Sequence, residues 1–78
     1  MKIKVTQRGG RLTDIRPGLF LHENTLGFKS EYYTENGAVE AYCVDSGEFF
    51  WGGTKTGIDQ CNLFVHKVKI KPDYTTTK

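Results

Sequence analysis

The sequence has few of the residues that usually mark a metal site, a disulfide framework or a membrane span. It contains two cysteines, two prolines and one tryptophan in 78 residues. Two thiols fall short of the four ligands of a structural zinc site, and no apolar run approaches the roughly 20 residues of a transmembrane helix. The first residues lack the apolar core of a signal peptide, so we expect a cytoplasmic protein with Cys43 and Cys61 as free thiols, and no membrane partner.

Catalytic signatures are also missing. Cys43 or Cys61 with His66 is a conceivable nucleophile and base, but the three residues do not follow a known catalytic spacing. A pair among Asp45, Glu48 and Asp59 is the other candidate, but these acidic residues stand at predicted turns, where solvation explains them. We therefore expect a protein that is not an enzyme and that needs no cofactor and no metal.

Polar and apolar residues alternate along most of the chain, a pattern typical of β-strands. The predicted strands are residues 2–8, 19–22, 26–33, 39–44, 48–51 and 63–70. The glycine pair Gly9-Gly10 is expected to end the first strand. Residues 54–62 do not alternate, and a single helical turn is predicted around Ile58.

Turn signals separate these strands. A tight connection is expected at residues 23–25, and Asn36-Gly37 is typical of a type I′ hairpin turn. Residues 45–47 favour a three-residue loop with Gly47 in the left-handed conformation. The pattern predicts an all-β fold, a meander of about six short strands forming an SH3-like, partly open barrel or a two-sheet sandwich. Residues 1–72 would form this single domain, and residues 73–78 a flexible tail.

The net charge of +2 combines basic ends with an acidic centre. If the first and last strands are neighbours, Lys67 and Lys69 lie beside Lys2 and Lys4. Rows of like charge are unfavourable, so they favour a bound anion such as a phosphate-bearing small molecule. The alternative is a solvated face that protects an edge strand from aggregation.

The ten aromatic residues form a large share of so short a chain. Alternation sends at least one ring of residues 49–51 to the outer face, and it separates Tyr32 from Tyr33. Trp51, Tyr32 and Tyr33 are therefore candidates for binding another molecule. The same rings would suit a subunit interface, so we expect a homo-oligomer.

A glycine- and threonine-rich segment follows the aromatic stretch. Thr54, Lys55 and Thr56 offer hydroxyl groups, backbone amides and a positive charge that suit a phosphate group. The spacing is not that of a nucleotide-binding P-loop, and no long helix is predicted after it. A plain flexible loop is the alternative interpretation.

Three segments together resemble small accessory proteins of tailed bacteriophages. They are PGLF at residues 17–20, KSEY at residues 29–32 and DSGEFFWGG at residues 45–53, and the likeness covers about residues 17–70. The resemblance implies a viral protein in the host bacterial cytoplasm that counteracts a bacterial defence. It would bind a host protein, or sequester a nucleotide-type immune signal near Lys55, Lys67 or Lys69.

Two alternative functions remain. Small β-barrels bind single-stranded nucleic acid through aromatic platforms in a basic groove. Here the pI of about 8.6 is low for that class, and the aromatic segments are the acidic part of the chain. A minor structural protein of the virion is the other alternative.

Overall fold

Five antiparallel strands form one open sheet in the computed structural model of the chain. The structure describes residues 2–71, and the side chains of residues 9–68. The elements are β1 (Lys2–Arg11), β2 (Gly18–His22), β3 (Thr25–Tyr33), β4 (Val39–Cys43), α1 (Gly57–Cys61) and β5 (Phe64–Lys71). The strand order is β1-β5-β2-β3-β4. The all-β prediction is confirmed, with one sheet; the predicted tail, residues 73–78, lies outside the described residues.

The fifth predicted strand, residues 48–51, is wrong. Residues 48–50 run beside β4, where the Cys43 N–H donates to the Glu48 carbonyl at 2.8 Å and the Phe50 N–H donates to the Ala41 carbonyl at 2.8 Å. The segment makes a single bridge, between Tyr42 and Phe49. A turn that begins at Trp51 stops it, so this arm is too short to be a strand.

The first strand is longer than predicted, because β1 continues through Gly9 to Arg11. Gly9 pairs with His66, and the ring of Phe64 lies over it, where a side chain at residue 9 would collide. The ladder has an irregularity between Val5 and Gly9. Gly9 therefore provides close packing between β1 and β5 and does not end the strand.

The turns lie where they were predicted, but two of them differ from the prediction in turn type or in loop length. β2 and β3 are joined directly after the pair His22–Thr25, as expected. The type I′ prediction is wrong, since Glu23 is the only non-glycine residue with positive φ within residues 2–71. Instead Gly37, with φ 82°, closes a three-residue loop. Gly47 has the predicted left-handed φ, at 76°, in a loop that is four residues long.

One face of the sheet carries the hydrophobic core. Its fully or almost fully buried members are Leu12, Phe20, Val39, Ala41, Phe50 and Val65. The rings of Phe20 and Phe50 meet edge to face, with centroids 4.9 Å apart. Leu12 lies just after β1. Gln60 of α1 is also fully buried on this side. The opposite face carries large apolar side chains that stay exposed.

The first and last strands are neighbours, as the charge argument required. The register pairs Lys4 with Lys69 and Lys2 with Lys71. The side chains of these four lysines lie outside the described residues. β5 joins the rest of the sheet at β2 through a short ladder that includes the pair Phe20–Lys67.

Candidate functional site

Four aromatic residues form a row across the outer face of the sheet at its β3–β4 edge. Phe28 pairs with Tyr42 in the ladder, and Tyr42 bridges to Phe49. The ring centroids of Tyr42 and Phe49 are 5.8 Å apart, and those of Phe49 and Trp51 are 4.9 Å apart. We call Phe28, Tyr42, Phe49 and Trp51 the aromatic strip.

The alternation of side chains explains why the strip faces outward. Gly27 and Ala41 point to the core, so Phe28 and Tyr42 point away from it, with exposed fractions of 48% and 40%. In the arm, Phe50 is buried while Trp51 is 37% exposed. The prediction that at least one ring of residues 49–51 lies on the outer face is confirmed, and a connected group of exposed rings is typical of a contact surface.

An acidic side chain lies beside the strip. The hydroxyl of Tyr42 donates to Oε2 of Glu40 at 3.2 Å, and the hydroxyl of Ser30 donates to Oε1 at 2.7 Å. The bond to Glu40, together with the negative charge of that carboxylate, raises the pKa of Tyr42. The aromatic strip therefore has a polar, negatively charged border.

A cleft of about 480 Å³ opens at one end of the strip. It is lined by His22, Glu23, Thr25, Cys43, Phe49, Phe50, Trp51, Gly52 and Gly53. Phe49 and Trp51 belong to both the strip and the cleft, so the two features are continuous. Phe50 is buried, and the ring of His22 meets it edge to face at 5.5 Å. The sequence predictions included Trp51 and missed the rest of the cleft.

The predicted phosphate-binding loop is used for local structure. The hydroxyl of Thr54 donates to the Trp51 carbonyl at 2.6 Å. The hydroxyl of Thr56 accepts the Asp59 N–H at 3.1 Å as the N-cap of α1. Lys55 is exposed between them. Both hydroxyl groups thus stabilise the turn and the helix start.

Lys67, another predicted phosphate ligand, lies on the inner side of the sheet. Its Nζ donates to the carbonyls of Arg16 at 3.0 Å and Pro17 at 3.1 Å. Burial, and then the neighbouring charge of Arg16, lower the pKa of Lys67. This lysine therefore holds the segment before β2 in place. It does not form one site with Lys55, Thr54 and Thr56. Lys69 falls outside the described side chains.

A second lysine with such a role escaped the sequence analysis. Lys29 is 4% exposed, and its Nζ donates to the carbonyls of Leu12 at 2.7 Å, Thr13 at 3.2 Å and Ile15 at 2.5 Å. Burial lowers its pKa. The sequence did contain a signal for the burial of Lys29. In the alternation of β3, residue 29 lies on the same inward face as Gly27.

Tyr32 and Tyr33 do not join Trp51. They lie at the end of β3 away from the cleft, with exposed fractions of 63% and 53%. The hydroxyl of Tyr33 shares a 2.6 Å hydrogen bond with the hydroxyl of Thr13. Of the two free thiols, Cys43 borders the cleft and Cys61 donates to the Gly37 carbonyl at 3.2 Å. Within residues 2–71, His, Cys, Asp and Glu form no group of three able to hold a metal.

Comparisons with protein-family models, curated proteins and solved structures found no match to this chain. The resemblance to phage accessory proteins therefore stays a prediction. In the described part of the chain, the helix is far too short to cross a membrane. The function has to be inferred from the aromatic strip and the cleft.

Proposed function

We propose that this chain is a non-enzymatic binding protein that captures a partner protein through the aromatic strip. The observation that carries the proposal is a row of four aromatic residues on an open sheet face: Tyr42, Phe49 and Trp51 are in ring contact, and Phe28 pairs with Tyr42 in the ladder. Three of the four are more than one-third exposed. Large aromatic side chains are the residues that most often dominate the binding energy of protein interfaces. Exposing them to water is unfavourable unless another surface covers them.

The charge around the strip defines the partner. Residues 40–48, which include most of β4, the loop after it and the start of the arm, contain Glu40, Asp45 and Glu48 and no lysine or arginine. Glu40 borders Tyr42 directly. Complementary charge favours a partner surface with an apolar centre and a basic border.

The resemblance to phage accessory proteins adds a biological setting to this proposal. In that setting the partner is a host protein, such as a component of a bacterial defence. Capture of a nucleotide-type signal has less support, because Thr54, Thr56 and Lys67 are engaged in bonds within the chain. Single-stranded nucleic acid also has less support, because the carboxylate of Glu40 borders the strip where a basic groove would be needed.

A site-specific photo-crosslinker tests the proposal. The crosslinker replaces Tyr42 in one variant and Ile58, which is 73% exposed on α1, in the control. We expect a protein of the host to be crosslinked from residue 42 and not from residue 58. The purified partner should then bind the wild-type chain in a salt-sensitive manner, and bind the double variant F28S/Y42S at least about tenfold more weakly.

Two results would overturn the proposal. Equal crosslinking from residues 42 and 58 would show that the strip is not the contact surface. Native mass spectrometry that finds a dimer in the wild type and a monomer in F28S/Y42S would assign the strip to a second copy of this chain. The homo-oligomer expected from the sequence would then be the explanation for the exposed rings.

A further inference from the structure

The cleft beside the aromatic strip has an unusual combination of lining groups. Among the described side chains, the lining includes Phe49, Phe50 and Trp51 and one carboxylate, Glu23, beside the imidazole of His22, and it includes no lysine or arginine. A phosphate or another anion would meet a negative charge there. A cation would meet both a carboxylate and the electron-rich faces of aromatic rings.

Glu23 is not neutralised within the described part of the chain. The ion pair found among those side chains joins Arg11 to Asp14 at 2.7 Å, outside the cleft. Glu23 is exposed and has a φ of 53°. This left-handed conformation is costly for a glutamate and would suit glycine or asparagine better. The turn therefore keeps a carboxylate at a position where the backbone favours other residues.

Two of the aromatic rings that line the cleft pack against each other. The ring planes of Phe49 and Trp51 are inclined by 52° with their centroids 4.9 Å apart. Phe50, which is 2% exposed, is the buried member of the aromatic lining. Gly53 leaves the wall open, since a side-chain carbon there would meet no atom within 4 Å. The partly exposed ring of Trp51 offers an aromatic face in the same cleft that Glu23 lines.

We infer that the cleft binds the guanidinium group of an arginine side chain on the partner protein. Guanidinium is planar, stacks on aromatic faces and forms paired hydrogen bonds with a carboxylate. The acidic surroundings of the strip attract the same kind of partner surface. This inference rests on the proposed function: the strip supplies apolar contact, and the cleft selects a partner with an arginine at its edge.

The single tryptophan makes the test direct, because Trp51 lines the cleft. N-acetyl-arginine methylamide is titrated into the full chain while the fluorescence of Trp51 is recorded. N-acetyl-citrulline methylamide, which has nearly the same shape and no charge, is the matched control ligand. We expect a saturable change with the arginine compound, with a Kd on the order of 10 mM, and a much smaller change with the citrulline compound.

Two substitutions of Glu23 separate binding from folding. Glu23→Gln keeps the size of the side chain, and Glu23→Asn suits the left-handed φ better. Both should weaken arginine binding by roughly twofold to fivefold, and Glu23→Asn should be at least as stable as the wild type. Glu35→Gln is the control, because residue 35 follows the far end of β3. It should bind like the wild type.

The outcomes are distinguishable from those of the crosslinking experiment. Equal fluorescence changes with arginine and citrulline compounds, or unchanged binding in Glu23→Gln, would overturn the cation site whether or not the strip binds a partner. If the arginine compound changes the fluorescence of Trp51 as expected but residues 42 and 58 crosslink equally, the cleft binds guanidinium and the aromatic strip is not the contact surface for a partner. A wild-type dimer that the arginine compound dissociates would assign the arginine to a second copy and overturn the partner assignment.

Discussion

The side-chain amide of Gln60 pairs with both backbone groups of Val39, as a neighbouring strand would. Its Oε1 accepts the Val39 N–H at 2.7 Å, and its Nε2 donates to the Val39 carbonyl at 2.9 Å. The same Nε2 donates to the Phe50 carbonyl at 2.8 Å, and the side chain is fully buried. One side chain of α1 thus completes the edge of β4 and holds the arm that carries Phe49 of the aromatic strip.

Replacing Gln60 with leucine should destabilise the fold strongly. Leucine is of similar size, but it leaves the Val39 N–H and the carbonyls of Val39 and Phe50 without these partners. Buried polar groups left unpaired cost about 1–3 kcal/mol each, so for these three groups we expect a total loss of at least about 3 kcal/mol in the free energy of unfolding, measured by urea denaturation. The exposed control Glu35→Gln should change it by less than about 0.5 kcal/mol. A loss below about 1 kcal/mol in Gln60→Leu would contradict this role.

Lys29 organises residues 12–15 in a comparable way, and its replacement by methionine tests this. Methionine keeps most of the length and apolar volume but has no donor for the carbonyls of Leu12, Thr13 and Ile15. We expect a loss of about 1–3 kcal/mol in urea denaturation. Faster hydrogen exchange at residues 12–15 should accompany it. Wild-type exchange rates in this segment would show that the lysine is dispensable there.

The contribution of Lys29 should depend on pH in a defined direction. Burial lowers its pKa in the folded state below the ordinary value, so the unfolded chain binds this proton more tightly. Between the lowered folded pKa and the unfolded value near 10.4, stability from this group rises with pH. The difference in unfolding free energy between the wild type and Lys29→Met should therefore grow from neutral pH toward pH 10. Lys67, whose charge also lowers the pKa of Lys29, titrates in both proteins. A difference that is flat or shrinks would contradict the assignment.

The sequence pattern predicted the strands well because alternation is a local property. β2, β3, β4 and β5 lie within one residue of their predicted bounds at each end, and the short helix lies where alternation is absent. The arm at residues 48–50 alternates like a strand, yet its length is set by the turn after Trp51, which local pattern does not reveal. Gly9 was misread for a similar reason, because its neighbour Phe64 is distant in sequence.

The candidate site was harder to predict. Alternation placed an aromatic ring of the arm on the outer face, but the connection of Phe28 to Tyr42 depends on the register of β3 and β4. The cleft depends on contacts between the β2–β3 turn and the arm, which are about 26 residues apart. The phosphate loop was predicted from residue types alone. In the structure, capping and turn bonds use the hydroxyls of Thr54 and Thr56.

The contact between Phe20 and Gly27 offers a test of core packing below the strip. A side-chain carbon at residue 27 would fall within 3.0 Å of several atoms of the Phe20 ring. Gly27→Ala should therefore cost about 1–3 kcal/mol through overpacking. Combined with Phe20→Leu, the alanine has more room, so the double variant should lose at least about 1 kcal/mol less than the sum of the single losses. Additive losses in urea denaturation would show that the ring does not oppose the alanine.

The bond between Tyr42 and Glu40 should be visible in the titration of the tyrosine. The bond and the charge of Glu40 both favour the neutral phenol, so the pKa of Tyr42 lies above its ordinary value of about 10. Replacing Glu40 with glutamine removes the charge, and we expect the pKa of Tyr42 to fall, as followed by NMR of carbon-labelled tyrosine. Glu35→Gln should leave the Tyr42 titration unchanged. If Glu40→Gln and Glu35→Gln titrate alike, Glu40 does not act on the phenol, and the acidic border of the aromatic strip must be assigned to other residues.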